Sequence, residues 1–185
     1  MLKLVKPSLE YADAFLAGLE EYKTDTAKFG LDNMRKTIKT VEENGVSAWI
    51  EKARDADTGK NLPDGWVSNT KYWLLDNDEY AGSFTLRHGL TEGLKLWGGH
   101  VGYIIAPSKR GRGYAFAGLQ LLLTEAAKRG LEQVLITCNT ENAASFAVIT
   151  KALKLYGGEQ LSDSTFDGKN YHRVWINTTP LKNTK

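Results

Sequence analysis

Apolar and polar residues follow two periods along this chain, and these periods predict its strands and helices. Alternation or a short continuous apolar run is typical of strands, whereas a 3.6-residue repeat is typical of helices. Strand patterns are found at residues 2–6, 71–75, 81–88, 100–106, 133–138, 159–163 and 171–177. Helical patterns are found at residues 9–22, 31–52, 111–129 and, after a short loop, within 139–158. The order β-α-α-β-β-β-α-β-α-β-β predicts an α/β (α+β) domain with a mixed central sheet flanked by helices.

Residues 54–70 (RDADTGKNLPDGWVSNT) interrupt this periodicity. They are dense in turn-forming residues and therefore predict a long surface loop, which in a compact domain is often functional. Trp66 lies in the middle of this segment. We expect it to pack against the body of the protein, and the alternative is that it lines a substrate pocket. The last residues, 181–185, are expected to fray.

Composition and charge indicate one ordinary globular domain over residues 1–185. Hydrophobic residues make up 42% and charged residues 25% of the chain, and the net charge of +2 gives no reason to expect a nucleic-acid partner. The single cysteine excludes an intrachain disulfide, and the histidines are not spaced as metal ligands. No run approaches the ~20 apolar residues of a membrane-spanning helix, and the first residues lack an apolar signal core. We expect a cytoplasmic protein with no metal ion and no membrane partner.

The stretch APSKRGRGYAFAGLQLLL, residues 106–123, is the strongest candidate for a binding site. Gly111 and Gly113 stand between a predicted strand and a predicted helix, where backbone N–H groups lack partners and the helix dipole favours a phosphate. Lys109, Arg110 and Arg112 are expected to add positive charge. The alternative is a basic turn that only caps the helix.

Two common phosphate-binding motifs are excluded. A P-loop needs glycine, four residues and then Gly-Lys-Ser/Thr, and the chain has no such run. A dinucleotide-binding fingerprint needs a glycine where this chain has Phe116, and an acidic residue where it has Asn139. Another phosphate-bearing ligand, such as coenzyme A, and no ligand at all are the alternatives that remain open at this point.

Residues 110–115 read Arg-x-x-Gly-x-Ala and resemble the acyl-CoA pyrophosphate loop of the GNAT family of N-acetyltransferases. The segments GGHVGYIIAPSKRGRGYA and TCNTENAASFAVI together look like those of uncharacterised bacterial acetyltransferases. The element order agrees along the whole chain, and the motifs are specific over residues 98–158. The resemblance implies a single-domain GNAT fold, acetyl-CoA as co-substrate and a primary amine on a small molecule or a peptide as acceptor. A homodimer is a base-rate expectation.

The resemblance also implies which residues meet the cofactor. The strand before the loop would splay from its neighbour, so that the backbone of Ile104 and Ile105 pairs with the pantetheine arm. The loop amides would hold the pyrophosphate, and a small polar pair on the next helix would lie near the pantetheine. The loop residues are Arg110, Gly111, Arg112, Gly113, Tyr114 and Ala115, and the polar pair is Asn142 and Ser145.

The resemblance also implies a general base and a general acid. His100 begins the splayed strand, where several family members carry a catalytic glutamate, and is the candidate general base; His88 is a neighbouring candidate. Many members carry a tyrosine as the acid where this chain has Ile149, so Tyr156 is the substitute candidate, and Tyr171 and water are the alternatives. Cys138 is expected to be a core residue. Because the usual tyrosine is missing, a non-catalytic acyl-CoA-binding or sensor domain is the alternative function.

Overall fold

The structure is a computed structural model, and it describes residues 1–181. A 3₁₀ turn at Leu9–Tyr11 precedes the first helix, and a second one at Pro107–Lys109 follows the fourth strand. The strands are β1 (Leu2–Val5), β2 (Asn69–Asp76), β3 (Glu79–Arg87), β4 (Val101–Ile105), β5 (Gln133–Asn139), β6 (Gly158–Phe166) and β7 (Lys169–Asn177). The helices are α1 (Ala12–Lys23), α2 (Leu31–Thr58), α3 (Glu92–Leu96), α4 (Tyr114–Lys128) and α5 (Ala143–Tyr156). The predicted element order is confirmed.

The strands follow the sheet order β1-β2-β3-β4-β5-β7-β6, and the sheet is mixed. By contacts between Cα atoms the chain divides into two compact units. The first contains Met1–Thr85 and Tyr103–Ala115; the second contains Leu86–Gly102 and the described residues from Phe116 onward. The expectation of one domain over residues 1–185 stays a prediction.

In the first unit an aromatic core lies under α1 and α2. The ring of Phe15 stacks on that of Trp73 with centroids 4.3 Å apart, and Trp49 lies parallel to Trp73 at 5.8 Å. All three side chains are buried, and each comes from a different element. Burying a large aromatic side chain contributes about 1.5–3 kcal/mol, so these contacts hold both helices on β2.

In the second unit β5 is the central strand. It pairs with β7 in antiparallel register from Gln133↔Asn177 to Asn139↔Tyr171, and with β4 in parallel register at Val101↔Ile136. Its nearly continuous apolar sequence is explained by this position, because both of its faces are covered. The β6–β7 turn has positive φ at Asp167 (47°) and Gly168 (67°), which favours this residue pair.

The predicted loop at residues 54–70 is wrong at its start. Helix α2 continues to Thr58, and Gly59 follows as its C-cap. The φ of Gly59 is 76°, a conformation that residues with a β-carbon rarely adopt. The last turn is held from outside, because the Asp57 carboxylate accepts hydrogen bonds from Lys6 and Thr70. The loop is therefore residues 59–68. Trp66 within it is 67% exposed, so the prediction that it packs against the body is wrong.

The short helix α3 was missed, since five residues are too few to show a helical period. Thr91 caps it by accepting a hydrogen bond from the Leu94 N–H. The expected fraying of the tail lies outside the described residues from 182 on, and the Leu181 N–H donates to the Leu155 carbonyl. Within residues 1–181, no helix combines the length and the apolar character that crossing a membrane would require.

Candidate functional site

The glycine turn lies in the first unit, between β4 and α4, as predicted. Gly111 has φ of 74° and Gly113 has φ of 82°, and a β-carbon at either would meet no atom within 4 Å. Glycine is therefore favoured at both positions by the backbone conformation, although the surrounding space would admit a side chain. Among residues 1–181 the N–H groups of Gly111, Arg112 and Gly113 find no hydrogen-bond acceptor. With the free N–H groups of the first turn of α4, they form a cradle that suits a phosphate.

The Arg110 side chain is occupied by contacts within the protein and does not serve as a free cation for a phosphate. Its guanidinium donates to both carboxylate oxygens of Asp25, at 3.0 and 2.5 Å, and its Nε donates to the Ile105 carbonyl at 3.1 Å. Asp25 is only 7% exposed, and the pKa of its carboxyl is lowered mainly by the hydrogen bonds from Arg110. The Arg110 side chain fixes the start of the turn.

Two further contacts tie the turn to the end of β2 and the start of β3. Lys109 Nζ pairs with the Glu79 carboxylate at 2.6 Å, and the Tyr114 hydroxyl donates to Asp76 at 2.6 Å. Glu79 raises the pKa of Lys109, and Asp76 raises that of Tyr114. In the part of the chain that is described, exposed Arg112 makes no ion pair. Of the three cations expected in the turn, Lys109 and Arg110 are therefore paired with carboxylates.

The backbone of Ile104 and Ile105 is closely approached by β3. A β-carbon at Gly82 would lie 2.5 Å from the Ile104 carbonyl oxygen, so only glycine fits there. One lone pair of the Ile105 carbonyl already accepts from Arg110. Pairing of these two residues with a pantetheine arm stays a prediction.

Asn142 and Ser145 lie in the second unit, at the start of α5. The Asn142 side-chain oxygen accepts the Ser145 N–H at 3.1 Å, so this asparagine is the N-cap of the helix. The Ser145 hydroxyl reaches the thiol of Cys138. Burial raises the pKa of that thiol to about 11 and keeps it protonated, which agrees with a core role for Cys138.

His100 has the environment of a structural residue. Its side chain is 6% exposed, and its Nδ1 accepts the Leu135 N–H at 2.9 Å. Burial, with the nearby Arg87 cation as a second cause, lowers its pKa to about 4. A general base must reach the bound amine and hold a proton near neutral pH, and this ring meets neither condition. The geometry does not support His100 as the base.

Tyr156 ends α5, at the opposite end from Asn142. Fourteen residues of helix at 1.5 Å each separate the two ends by about 20 Å. Tyr156 is also buried, as is Ile149 at the position of the family's usual tyrosine. A phenol at Tyr156 cannot reach a group bound at the start of the helix, so the expected substitution by Tyr156 is not supported.

His172 was passed over in the sequence but has a defined partner. Its Nδ1 lies 2.9 Å from an Asp163 carboxylate oxygen, and its ring stacks on Phe146 at 4.0 Å between centroids. The signal available in sequence was weak, because Asp163 lies between Leu161 and Ser164, where the register of β6 against β7 shifts. In the described ranges, no group of three or more His, Cys, Asp or Glu side chains could hold a metal ion.

Comparison with known proteins agrees with this geometry. A family model described as acetyltransferase (GNAT) domain matches residues 2–152. The fold is similar to that of RimL, a ribosomal L7/L12 alpha-N-protein acetyltransferase, in complex with coenzyme A: TM-score 0.60, 16% identity, over 95% of this chain and 93% of that one. It is also similar to a putative GNAT-family acetyltransferase from Bordetella pertussis, with TM-score 0.57, 19% identity and 95% of both chains covered.

The fold is similar as well to that of a spermidine N-acetyltransferase SpeG chimera from Vibrio cholerae and hSSAT, with TM-score 0.59, 13% identity, and 96% of this chain and 95% of that one covered. No curated protein matches this chain in sequence. Since these structural neighbours are under 25% identical to the chain, they show the fold alone.

Proposed function

Because the chain belongs to the acetyltransferase (GNAT) domain family, we propose that it transfers the acetyl group of acetyl-CoA to the primary amine of an acceptor. Membership makes the chain an acetyltransferase with acetyl-CoA as co-substrate. The acceptor class, the direct attack of the amine and the role of each residue are the proposal.

The observation that carries the proposal is the cradle of unpaired N–H groups at residues 111–113, at the start of α4. A pyrophosphate needs several hydrogen-bond donors, and these N–H groups have no acceptor within residues 1–181. Arg112 adds the one charge of the turn that no carboxylate neutralises among the described residues. We assign the pyrophosphate to the amides of residues 111–115, and to Arg110 the task of holding the turn in place.

The chemistry asks little of the protein beyond placement. The amine nitrogen attacks the thioester carbonyl carbon, a C–N bond forms, and the C–S bond breaks as the coenzyme A thiolate leaves. Holding the two reactants together can supply about 7–11 kcal/mol of the barrier. A backbone N–H near Ile104 and Ile105 would stabilise the charge that develops on the carbonyl oxygen.

The acceptor that we propose is a primary amine on a small molecule or at a peptide N-terminus. The neighbours include proteins named as acetyltransferases of a ribosomal protein and of spermidine. A homodimer and a cytoplasmic location stay predictions.

The test compares shifts in melting temperature with acetyl-CoA, coenzyme A, ATP and NAD. A ligand at 100 times its Kd stabilises the folded protein by about 2.7 kcal/mol. We expect shifts with the two coenzyme A species alone, and their loss in Gly113→Asp, because a carboxylate would enter the cradle. Gly168→Asp is the matched control, since that glycine also has positive φ and open space around it. No shift with either coenzyme A species would refute the proposal.

A non-catalytic acyl-CoA-binding or sensor domain is the second candidate. It is favoured by the buried Ile149 at the usual tyrosine position and by the distance of Tyr156 from the start of α5. Both candidates bind coenzyme A, but only the enzyme releases free thiol when it is given acetyl-CoA and a suitable amine.

A further inference from the structure

We propose that His172, held by Asp163, is the general base that takes the proton from the acceptor's ammonium group. The inference rests on the proposed acetyl transfer and deepens it by naming a residue that the family motif does not contain. All of the groups that carry it lie in the second unit.

The first argument is the tautomer of the ring. His172 Nδ1 lies 2.9 Å from Asp163 Oδ1, which is hydrogen-bond distance. The carboxylate accepts the Nδ1–H, so the neutral ring carries its lone pair on Nε2. In the described part of the chain Nε2 makes no hydrogen bond, and the side chain is 19% exposed. The ring is thus oriented, partly shielded and still open to a proton.

The second argument is the position of the ring. Phe146, in the first turn of α5, stacks on His172 with an interplanar angle of 29°. His172 is also the direct cross-strand partner of Cys138, so their side chains share one face of the sheet. The Cys138 thiol forms a hydrogen bond with the Ser145 side chain. His172 therefore lies beside the start of α5, where Asn142 and Ser145 are proposed to meet the pantetheine.

The third argument is the charge around the ring. Three groups lie next to His172 by contact or by register: Asp163 from β6, the apolar Phe146 ring from α5 and, as its cross-strand partner, Cys138 from β5. The thiol is neutral near pH 7 because burial raises its pKa to about 11. Asp163 is thus the charge that the imidazole meets, and it stabilises the imidazolium that forms when the proton arrives.

The step is balanced without any further reactant. The ammonium N–H bond breaks and its proton moves to Nε2 of His172, which leaves the lone pair on nitrogen. That pair forms the C–N bond, and the C–S electrons leave with the coenzyme A thiolate. The imidazolium then gives its proton to the thiolate or to water, which restores the neutral ring. No separate tyrosine acid is required.

The test uses the full chain with acetyl-CoA and two probe amines, spermidine and a peptide with an N-terminal serine, and follows free thiol release. His172→Gln should lower kcat by 10²–10⁴-fold, leave the KM for acetyl-CoA within about threefold and remove the acidic limb of the pH profile. Asp163→Asn should cause a smaller fall in kcat. Thr165→Ala is the control, because it breaks a hydrogen bond to Asn170 at the tip of the same hairpin, and it should leave kcat unchanged.

Imidazole added to His172→Ala should restore part of the rate, which a merely structural role would not allow. A kcat within threefold of wild type and an unchanged pH profile for His172→Gln would overturn the inference alone. Loss of activity together with the acetyl-CoA-induced melting shift, without rescue by imidazole, would also overturn it. If wild type binds coenzyme A but releases no thiol with either amine, the proposed transfer to these amine classes fails, and the base assignment fails with it.

Discussion

The Asp25–Arg110 pair allows a quantitative test of how the glycine turn is held. Asp25→Asn removes the charge but keeps a side-chain oxygen that can accept the Ala27 N–H. The two hydrogen bonds from Arg110, at 3.0 and 2.5 Å, lose their charge assistance. Hydrogen bonds to charged groups contribute about 1.5–3 kcal/mol. The Arg110 side chain is 36% exposed, and solvent screens that part, so we expect a loss of about 2 kcal/mol.

Urea unfolding at pH 7 measures this loss, in a double-mutant cycle with Arg110→Gln. We expect a coupling energy of about 1.5–2 kcal/mol and a melting point lower by roughly 4–8 °C in Asp25→Asn. The folded-state pKa of Asp25 is lowered from its ordinary value of 3.8, so its stabilising effect is complete above that value and disappears as the pH falls through the lower folded pKa. The difference between wild type and Asp25→Asn should therefore close below about pH 4.

The control is the Glu92–Lys95 pair, whose charged atoms lie 2.7 Å apart but whose side chains are 90% and 49% exposed. Its cycle should give less than about 0.5 kcal/mol. A coupling energy for Asp25–Arg110 no larger than that of the control would show that the turn does not depend on this contact, and the positioning role of Arg110 would be refuted.

Three further predictions concern the second unit. His100→Gln should destabilise the protein above pH 6.5, because the Leu135 N–H loses its acceptor; a buried unpaired donor costs about 1–3 kcal/mol. Burial lowers the His100 pKa from 6.5 to about 4, so wild-type stability should fall between pH 6.5 and pH 4, and urea unfolding of the variant should show less of that fall. Gly99→Ala should lower the free energy of unfolding in urea by at least 1 kcal/mol more than Gly130→Ala does. A β-carbon at Gly99 would lie 2.4 Å from the Leu135 carbonyl oxygen, whereas Gly130 also has a positive φ but has open space around it. Equal losses in the two variants would contradict the close approach. The Cys138 thiol, with its pKa raised to about 11 by burial, should resist a thiol reagent at pH 8 until urea unfolds the chain, and fast labelling of native protein would contradict its core position.

The elements that the sequence predicted well are those whose signal is local. The apolar run QVLITC became β5, and the glycine turn lies where the strand and helix patterns place it. The end of a helix was predicted wrongly where no glycine or proline marks it. The residues after Ala53 continue α2 because Gly59 is the next residue that stops a helix, and Asp57 is held by residues far away in the chain.

The glycine turn lies where the sequence predicted it, but the partners of its side chains could not be predicted. Arg110 and Asp25 are 85 residues apart, and no local pattern connects them. The same reason hid the pairing of Lys109 with Glu79 and of His172 with Asp163. His100 was the candidate base because the resemblance places a catalytic residue at the start of this strand. Its burial and its hydrogen bond to the Leu135 N–H could not be predicted from the strand pattern.

The sequence by itself determined the order of elements, the position of the glycine turn and the family motif, because periodicity, glycine conformations and helix ends act over a few residues. Only the tertiary structure decided which charges of the turn are neutralised and which histidine is oriented by a carboxylate. Ion pairs and burial depend on groups that meet only when the chain has folded. Of the three cations in the turn, the fold leaves Arg112 without an ion-pair partner within residues 1–181.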